Sequence, residues 1–151
     1  MTNDITFHFQ KTEESSGYLL WQLTMLWQRK IKRGLDKIEI THTQFVLLAS
    51  LAWLAKSGGV VTQIDIANHS KTDRMMVSKV LRTLQKKGYI TRQEHTTDTR
   101  AKTITLTEAG KVLLQEALKI VEKIDVDFFS VLETELPNFN ADMLKILKEN
   151  S

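Results

Sequence analysis

The sequence predicts a mainly α-helical fold carrying one small β-hairpin, an α+β arrangement within a single domain. Apolar residues recur at helical spacing over most of the chain, the period switches to alternation after Gly88, and it returns to helical after Thr107. With 151 residues, 42% of them hydrophobic, the chain can bury one modest core.

Each element has its own local signal. Ile5, Phe7 and Phe9 alternate with polar residues, which fits either a short strand or an arm packed on another surface. From Gly17 to Arg33, Leu19, Leu20, Leu23, Leu26, Trp27 and Ile31 fall at helical spacing, with Gly34 as the expected stop. A second helix, Thr41 to Lys56, opens with Thr41 and Gln44 spaced as a capping box and closes at Ser57-Gly58-Gly59. Val60-Val61 is expected to add a short third strand.

Thr62, three residues before Asp65, caps the next helix, and a turn from His69 to Thr72 leads to a second N-cap, Asp73. Val77, Val80, Leu81 and Leu84 then place one buried stripe on a helix that Gly88 ends, with Met76 expected in the core beside Val80. Tyr89 to Glu94 and Ala101 to Leu106 alternate as two strands, and the polar residues between them should project. The chain is again helical from Thr107 to about Leu132, roughly 39 Å at the usual rise. Pro137 is expected to separate this helix from a closing one, Asn140 to Lys148.

Two short capped helices followed by a projecting hairpin form a winged helix-turn-helix, a device for holding duplex DNA. The second helix shows Arg74, Met75, Ser78, Lys79, Arg82 and Lys86 opposite its buried stripe, a face that can donate hydrogen bonds to phosphates and base edges. Arg74, Ser78 and Lys79 are the candidates for base edges, with Arg82 and Lys86 for phosphate. On the hairpin, Arg100 can enter the electronegative minor groove while Asp98 orients its guanidinium. Thr62, Gln63 and Lys102 complete the candidate DNA-binding set. Met75 is placed to meet a thymine methyl group.

Three stretches carry a resemblance. Val61-Thr62-Gln63-Ile64-Asp65-Ile66-Ala67, Leu84-Gln85-Lys86-Lys87-Gly88-Tyr89-Ile90 and Asp98 through Gly110 together resemble the MarR family of bacterial winged-helix regulators. Thr41 to Leu48 looks like that family's second helix, so the likeness covers nearly the whole chain. Met75 and Met76 replace the small hydroxyl residues usual in the family, and the turn His69-Ser70-Lys71-Thr72 is more polar than its pattern. The resemblance implies a homodimeric transcription regulator, more often a repressor, commonly released from DNA by a small ligand. It also implies a division of the 1–151 domain into a winged-helix lobe at 40–106 and a helical dimerisation region from 1–39 and 107–151. Effectors in the family bind between the two lobes, which directs attention to Trp21, Trp27, His42, Phe45 and Trp53.

Charge supports the DNA reading. Thr62 to Lys111 holds ten Lys and Arg against five Asp and Glu, whereas Val112 to Ser151 holds four against eight, so the basic excess coincides with the proposed binding lobe. The long helix after Thr107 exceeds what a small lobe can cover; Val112, Leu113, Ala117, Ile120, Val121, Ile124 and Phe128 are expected to form a face completed by a second copy. The partners expected are therefore double-stranded DNA, a second copy and a small-molecule effector, and no membrane.

No apolar run is long enough to span a membrane and no leader pattern opens the chain, so a cytoplasmic location is expected. With no cysteine, thiol-based sensing is excluded. No phosphate loop, activated nucleophile or cofactor motif points to an enzyme. Two other readings remain: a winged-helix module that binds proteins, and a metal-responsive regulator. For the latter, His8, His42, His69 and His95 stand far apart in sequence, and none forms an i, i+4 pair. No bound metal and no cofactor are expected.

Overall fold

A computed structural model describes residues 4–94 and 102–151. Among these residues, six α-helices and one antiparallel hairpin follow in the order α1 (Ser16–Asp36), α2 (His42–Ala55), α3 (Gln63–Ser70), α4 (Arg74–Lys86), β1 (Ile90–Glu94), β2 (Lys102–Leu106), α5 (Glu108–Phe129) and α6 (Leu136–Asn150). A 3-10 turn, Thr12–Glu14, precedes α1, and another, Ser130–Glu135, joins α5 to α6.

Side-chain oxygens begin the first five helices. Ser15 Oγ accepts from Tyr18 N, and Thr107 Oγ1 from Gly110 N. Thr41 with Gln44 and Thr62 with Asp65 form full capping boxes, so donors at the starts of α2 and α3 are satisfied reciprocally. Asp73 Oδ2 accepts from Met76 N at the start of α4. At the far end of α4 the chain reverses through Gly88, whose φ of 84° needs a residue without Cβ, and Tyr89 N closes onto Leu84 O.

One continuous core joins α1, α2, α3, α4, the hairpin and α5. Ile31 and Leu35 of α1, Leu47, Leu48 and Leu51 of α2, Ile66 of α3 and Val77, Leu81 and Leu84 of α4 are fully enclosed. Ile90 and Ile104 bring in the hairpin, and Leu113, Leu114, Ala117 and Val121 bring in α5. The ladder pairs Ile90 with Leu106 through to Glu94 with Lys102.

Several expectations are corrected. Gly34 does not stop α1. It lies within the helix because a Cβ there would stand 2.6 Å from Ile124 Cδ1 and 2.7 Å from Ile120 Cγ2, so its lack of a side chain lets α1 approach α5. Pro137 does not separate two helices. It sits in the first turn of α6, where its missing N–H sacrifices no helical hydrogen bond, and the kink falls instead at Glu133, with φ 50°. The turn between the helices of the pair is shorter than expected, because His69 and Ser70 belong to α3 and Lys71 takes the left-handed conformation.

The third strand is reduced to a bridge between Thr62 and Thr103, because the α3 cap turns the chain away at once. No strand forms among residues 4–11, where Ile5 and Phe7 lie exposed. Met76 is 48% exposed, because Val77 rather than Met76 lies on the inward stripe of α4. Of the α5 face expected to await a second copy, Leu113, Ala117 and Val121 are buried within this chain, whereas Val112 is exposed.

Candidate nucleic-acid interface

The outer face of α4 is a prepared cationic surface. Arg74, Lys79, Arg82 and Lys86 are exposed along it, Ser78 is half-buried, and Met75 is 82% exposed at the end nearest the cap. Three buried side chains, Val77, Leu81 and Leu84, hold the opposite stripe, so the outer residues are presented on a helix that cannot roll without opening the core. Arg82 Nη2 donates to Ser78 Oγ at 3.1 Å, one turn away, which fixes the guanidinium along the helix.

Hydrogen bonds within its own backbone neighbourhood hold the turn ahead of α4. Ser70 Oγ donates to Ile66 O at 2.7 Å, Thr72 N to Ala67 O at 3.1 Å and Thr72 Oγ1 to Ser70 O at 3.3 Å. Polar residues thus do locally what an apolar seal would do by packing. Lys87 Nζ donates to Glu39 O at 3.0 Å, tying the end of α4 to the turn after α1.

Thr62 and the carbonyl oxygen of Gln63 have structural partners. Thr62 caps α3, and Gln63 Oε1 accepts from Arg92 Nη2 at 3.0 Å. Ile104 N donates to Val61 O at 2.9 Å, so the start of α3 and the hairpin move as one. Lys102 stands on β2 opposite Glu94 in the ladder. Asp98 and Arg100 lie outside the described residues, as does His95.

Sequence reasoning missed Arg92. It pairs across the ladder with Ile104 and so shares the inward face of the hairpin. Burial first, and the neighbouring Arg82 charge second, hold its guanidinium below the ordinary value. The available signal was an arginine at an inward-facing strand position.

Of the five candidate effector residues, Trp27 and His42 come together. Their rings meet edge-on at 5.1 Å where α1, α2 and α5 converge, and Trp27 Nε1 donates to Asp125 Oδ1 at 2.8 Å. Burial lowers the His42 pKa, and the Asp125 carboxylate offsets part of that effect. Phe45 belongs to the hydrophobic core, while Trp21 and Trp53 lie exposed, the latter under Lys56 Nζ at 4.6 Å from the ring centroid. Among the described residues, no group of three His, Cys, Asp or Glu side chains is gathered to hold a metal ion. No helix among them is long and apolar enough to cross a membrane.

Comparison with known proteins matches this geometry. The family model for an ArnR1-like winged-helix domain matches residues 36–126. An uncharacterized HTH-type transcriptional regulator of Bacillus subtilis, YdcH, is 44% identical over 140 residues, covering 93% of this chain and 95% of its own. The chain belongs to the MarR family of winged-helix transcription regulators. Two solved members illustrate the fit. The S. aureus MepR–DNA complex superposes with a TM-score of 0.81 at 29% identity, covering 89% of this chain and 98% of that one. A cysteine-to-serine mutant of E. coli MarR complexed with operator DNA gives 0.76 at 20% identity, over 87% and 91% of the two chains. The chain is accordingly a DNA-binding transcription regulator, and the family is not one of enzymes.

Proposed function

We propose that the protein is a homodimeric repressor acting in the cytoplasm on a pseudo-palindromic operator. Residues 40–106 serve as the DNA-binding lobe, and 1–39 with 107–151 serve as the dimerisation region. The observation that carries this reading is the rigidly backed outer face of α4, where Arg74, Ser78 and Lys79 stand ready for base edges and Arg82 and Lys86 for phosphates. In a two-fold dimer the two copies of α4 enter successive major grooves about 34 Å apart. Arg100 on the wing, oriented by Asp98, reaches the flanking minor groove.

The second copy is called for by apolar surface that this chain leaves bare. In α1, Leu19, Leu20, Trp21 and Leu26 are exposed, and in α6 Leu144, Ile146 and Leu147 are each more than half exposed. A patch of this extent on a soluble chain marks an interface. Effector release is assigned to the Trp27–His42–Asp125 junction, where a planar ligand that displaces the Trp27 N–H from its carboxylate would change how α5 meets α2.

Fluorescence-anisotropy titration of the purified protein tests this reading, using duplex from upstream of its own gene against a scrambled duplex at several salt concentrations. Tight preference for the native duplex that survives moderate salt supports sequence-specific regulation. Equal, weak binding to both that disappears with salt leaves only electrostatic attraction and overturns it for that operator.

A further inference from the structure

At the root of the wing, three elements bring together an electrostatic arrangement that folding alone does not favour. Arg92 lies midway along β1 with Nη2 on Gln63 Oε1 at 3.0 Å, and its Nε is covered with no hydrogen-bond partner. Arg82 comes from α4, near enough for its charge to act on the Arg92 guanidinium. Among the described residues, neither arginine is ion-paired with a carboxylate. A half-buried guanidinium with an orphan N–H beside a second cation costs stability, whereas a neutral side chain beside Ile104 would not.

Arg92 Nε is enclosed, but the rest of this partly exposed side chain can meet an anion, whose type follows from the donors. Gln63 has its carbonyl oxygen turned to Arg92, so the group it keeps for a ligand is its NH2. Two guanidiniums and an amide NH2 supply donors only, which suits a tetrahedral oxyanion with several acceptor oxygens. Its position, between the first residue of α3 and the wing strands and beside the outer face of α4, is next to the recognition surface. We propose that Arg92, Arg82 and Gln63 form a seat for one backbone phosphate of the bound DNA.

This rests on the DNA-binding reading above and adds a clamp that fixes register without reading sequence. Arg92 is the central positioning residue: it orients Gln63 and supplies the charge that the phosphate neutralises. Arg82 is held along α4 by its hydrogen bond to Ser78, with its charge still acting on Arg92.

The test uses the full chain with Arg92→Gln, Arg82→Gln and Arg92→Lys, on upstream and scrambled duplexes, with single neutral methylphosphonates stepped along the backbone. Arg92→Gln should weaken binding about tenfold on both duplexes alike and lower the salt slope by about 0.9 per subunit. One methylphosphonate position should weaken the parent by a similar factor yet add nothing to Arg92→Gln. Arg92→Lys should recover only part of the loss, because an ammonium lacks the planar fork.

Parent-like affinity and slope in Arg92→Gln would overturn the seat. So would a loss of affinity that stays fully additive with every methylphosphonate, since Arg92 would then only brace the hairpin. Should circular dichroism show Arg92→Gln unfolded, Arg82→Gln carries the same slope and methylphosphonate test, because Arg82 is exposed and outside the core. A parent that does not distinguish the two duplexes defeats the operator reading, while the seat is still judged on either duplex.

Discussion

The stretch from α2 to β2 and the two ends of the chain are equally rich in apolar periodicity, yet they dispose of it differently. Between α2 and β2 the inward stripes meet one another, and Leu47, Leu48, Leu51, Ile66, Val77, Leu81, Leu84, Ile90 and Ile104 are all buried. In α6 no residue is buried, and the first half of α1 shows the same bare face. A helical hydrophobic pattern says that a face will be covered; it does not say by which chain. The middle of the molecule finds its cover in itself, while the ends leave theirs for the second copy proposed above, which would tie their stability to concentration.

The sharpest way to break that contrast is to charge the bare face. Replacing Leu144 and Leu147 together by Asp should weaken dimerisation by roughly ten-thousandfold or more, given about 1.5–3 kcal/mol for each of the four large side chains that a dimer would lose from burial. Light scattering across a dilution series measures this, and helix content should change little. An unchanged dimer at micromolar concentration would show that α6 is not the contact.

Within the self-covered part, Leu81→Ala should cost roughly 2–5 kcal/mol in urea unfolding at fixed protein concentration. A loss below about 1 kcal/mol would mean that α4 is not integral to the core. Gly110→Ala should cost roughly 1–3 kcal/mol. The new Cβ would run into the carbonyl of Tyr89, a backbone atom that cannot swing aside as a side-chain tip would. A melting temperature equal to the parent's would refute that contact.

The smallest effect belongs to the junction of the two regions. The folded-state pKa of His42 is depressed, chiefly by burial, so the unfolded chain binds its proton more readily. Its contribution to stability is therefore present above the unfolded value near 6.5 and is lost as pH falls through the folded value. Between pH 7 and 5 the parent should lose more thermal stability than His42→Gln. Parallel curves would remove His42 from the pH response.

What was legible in the sequence shares one property: it is local. The caps at Thr41, Thr62 and Asp73 each join residues three apart, and all three form. The α4 stripe and the switch of period after Gly88 are local as well. What was not legible depends on distant partners. Gly34 resembles a helix stop until Ile120 and Ile124 arrive against it, and Trp27 is one aromatic among several until Asp125 accepts its N–H from 98 residues away. Arg92, on strand β1, was passed over because its meaning comes from Gln63 and Arg82, on two helices. Met76 was misplaced by a single step around α4, where a residue next to the buried Val77 turns outward.

Thr107 does more than cap a helix. Its hydroxyl donates to Gly88 O at 2.6 Å and accepts from Gly110 N at 3.0 Å, while its own N–H donates to Tyr89 O at 3.1 Å. The end of the recognition helix is thus pinned to the start of a 22-residue rod. At 1.5 Å per residue that rod is about 33 Å long, so tilting it by about 5° about the pin carries its far end roughly 3 Å. Thr107 is a fulcrum: small rotations near the DNA become wide excursions at the opposite end, and whatever grips that end gains the full mechanical advantage of the arm.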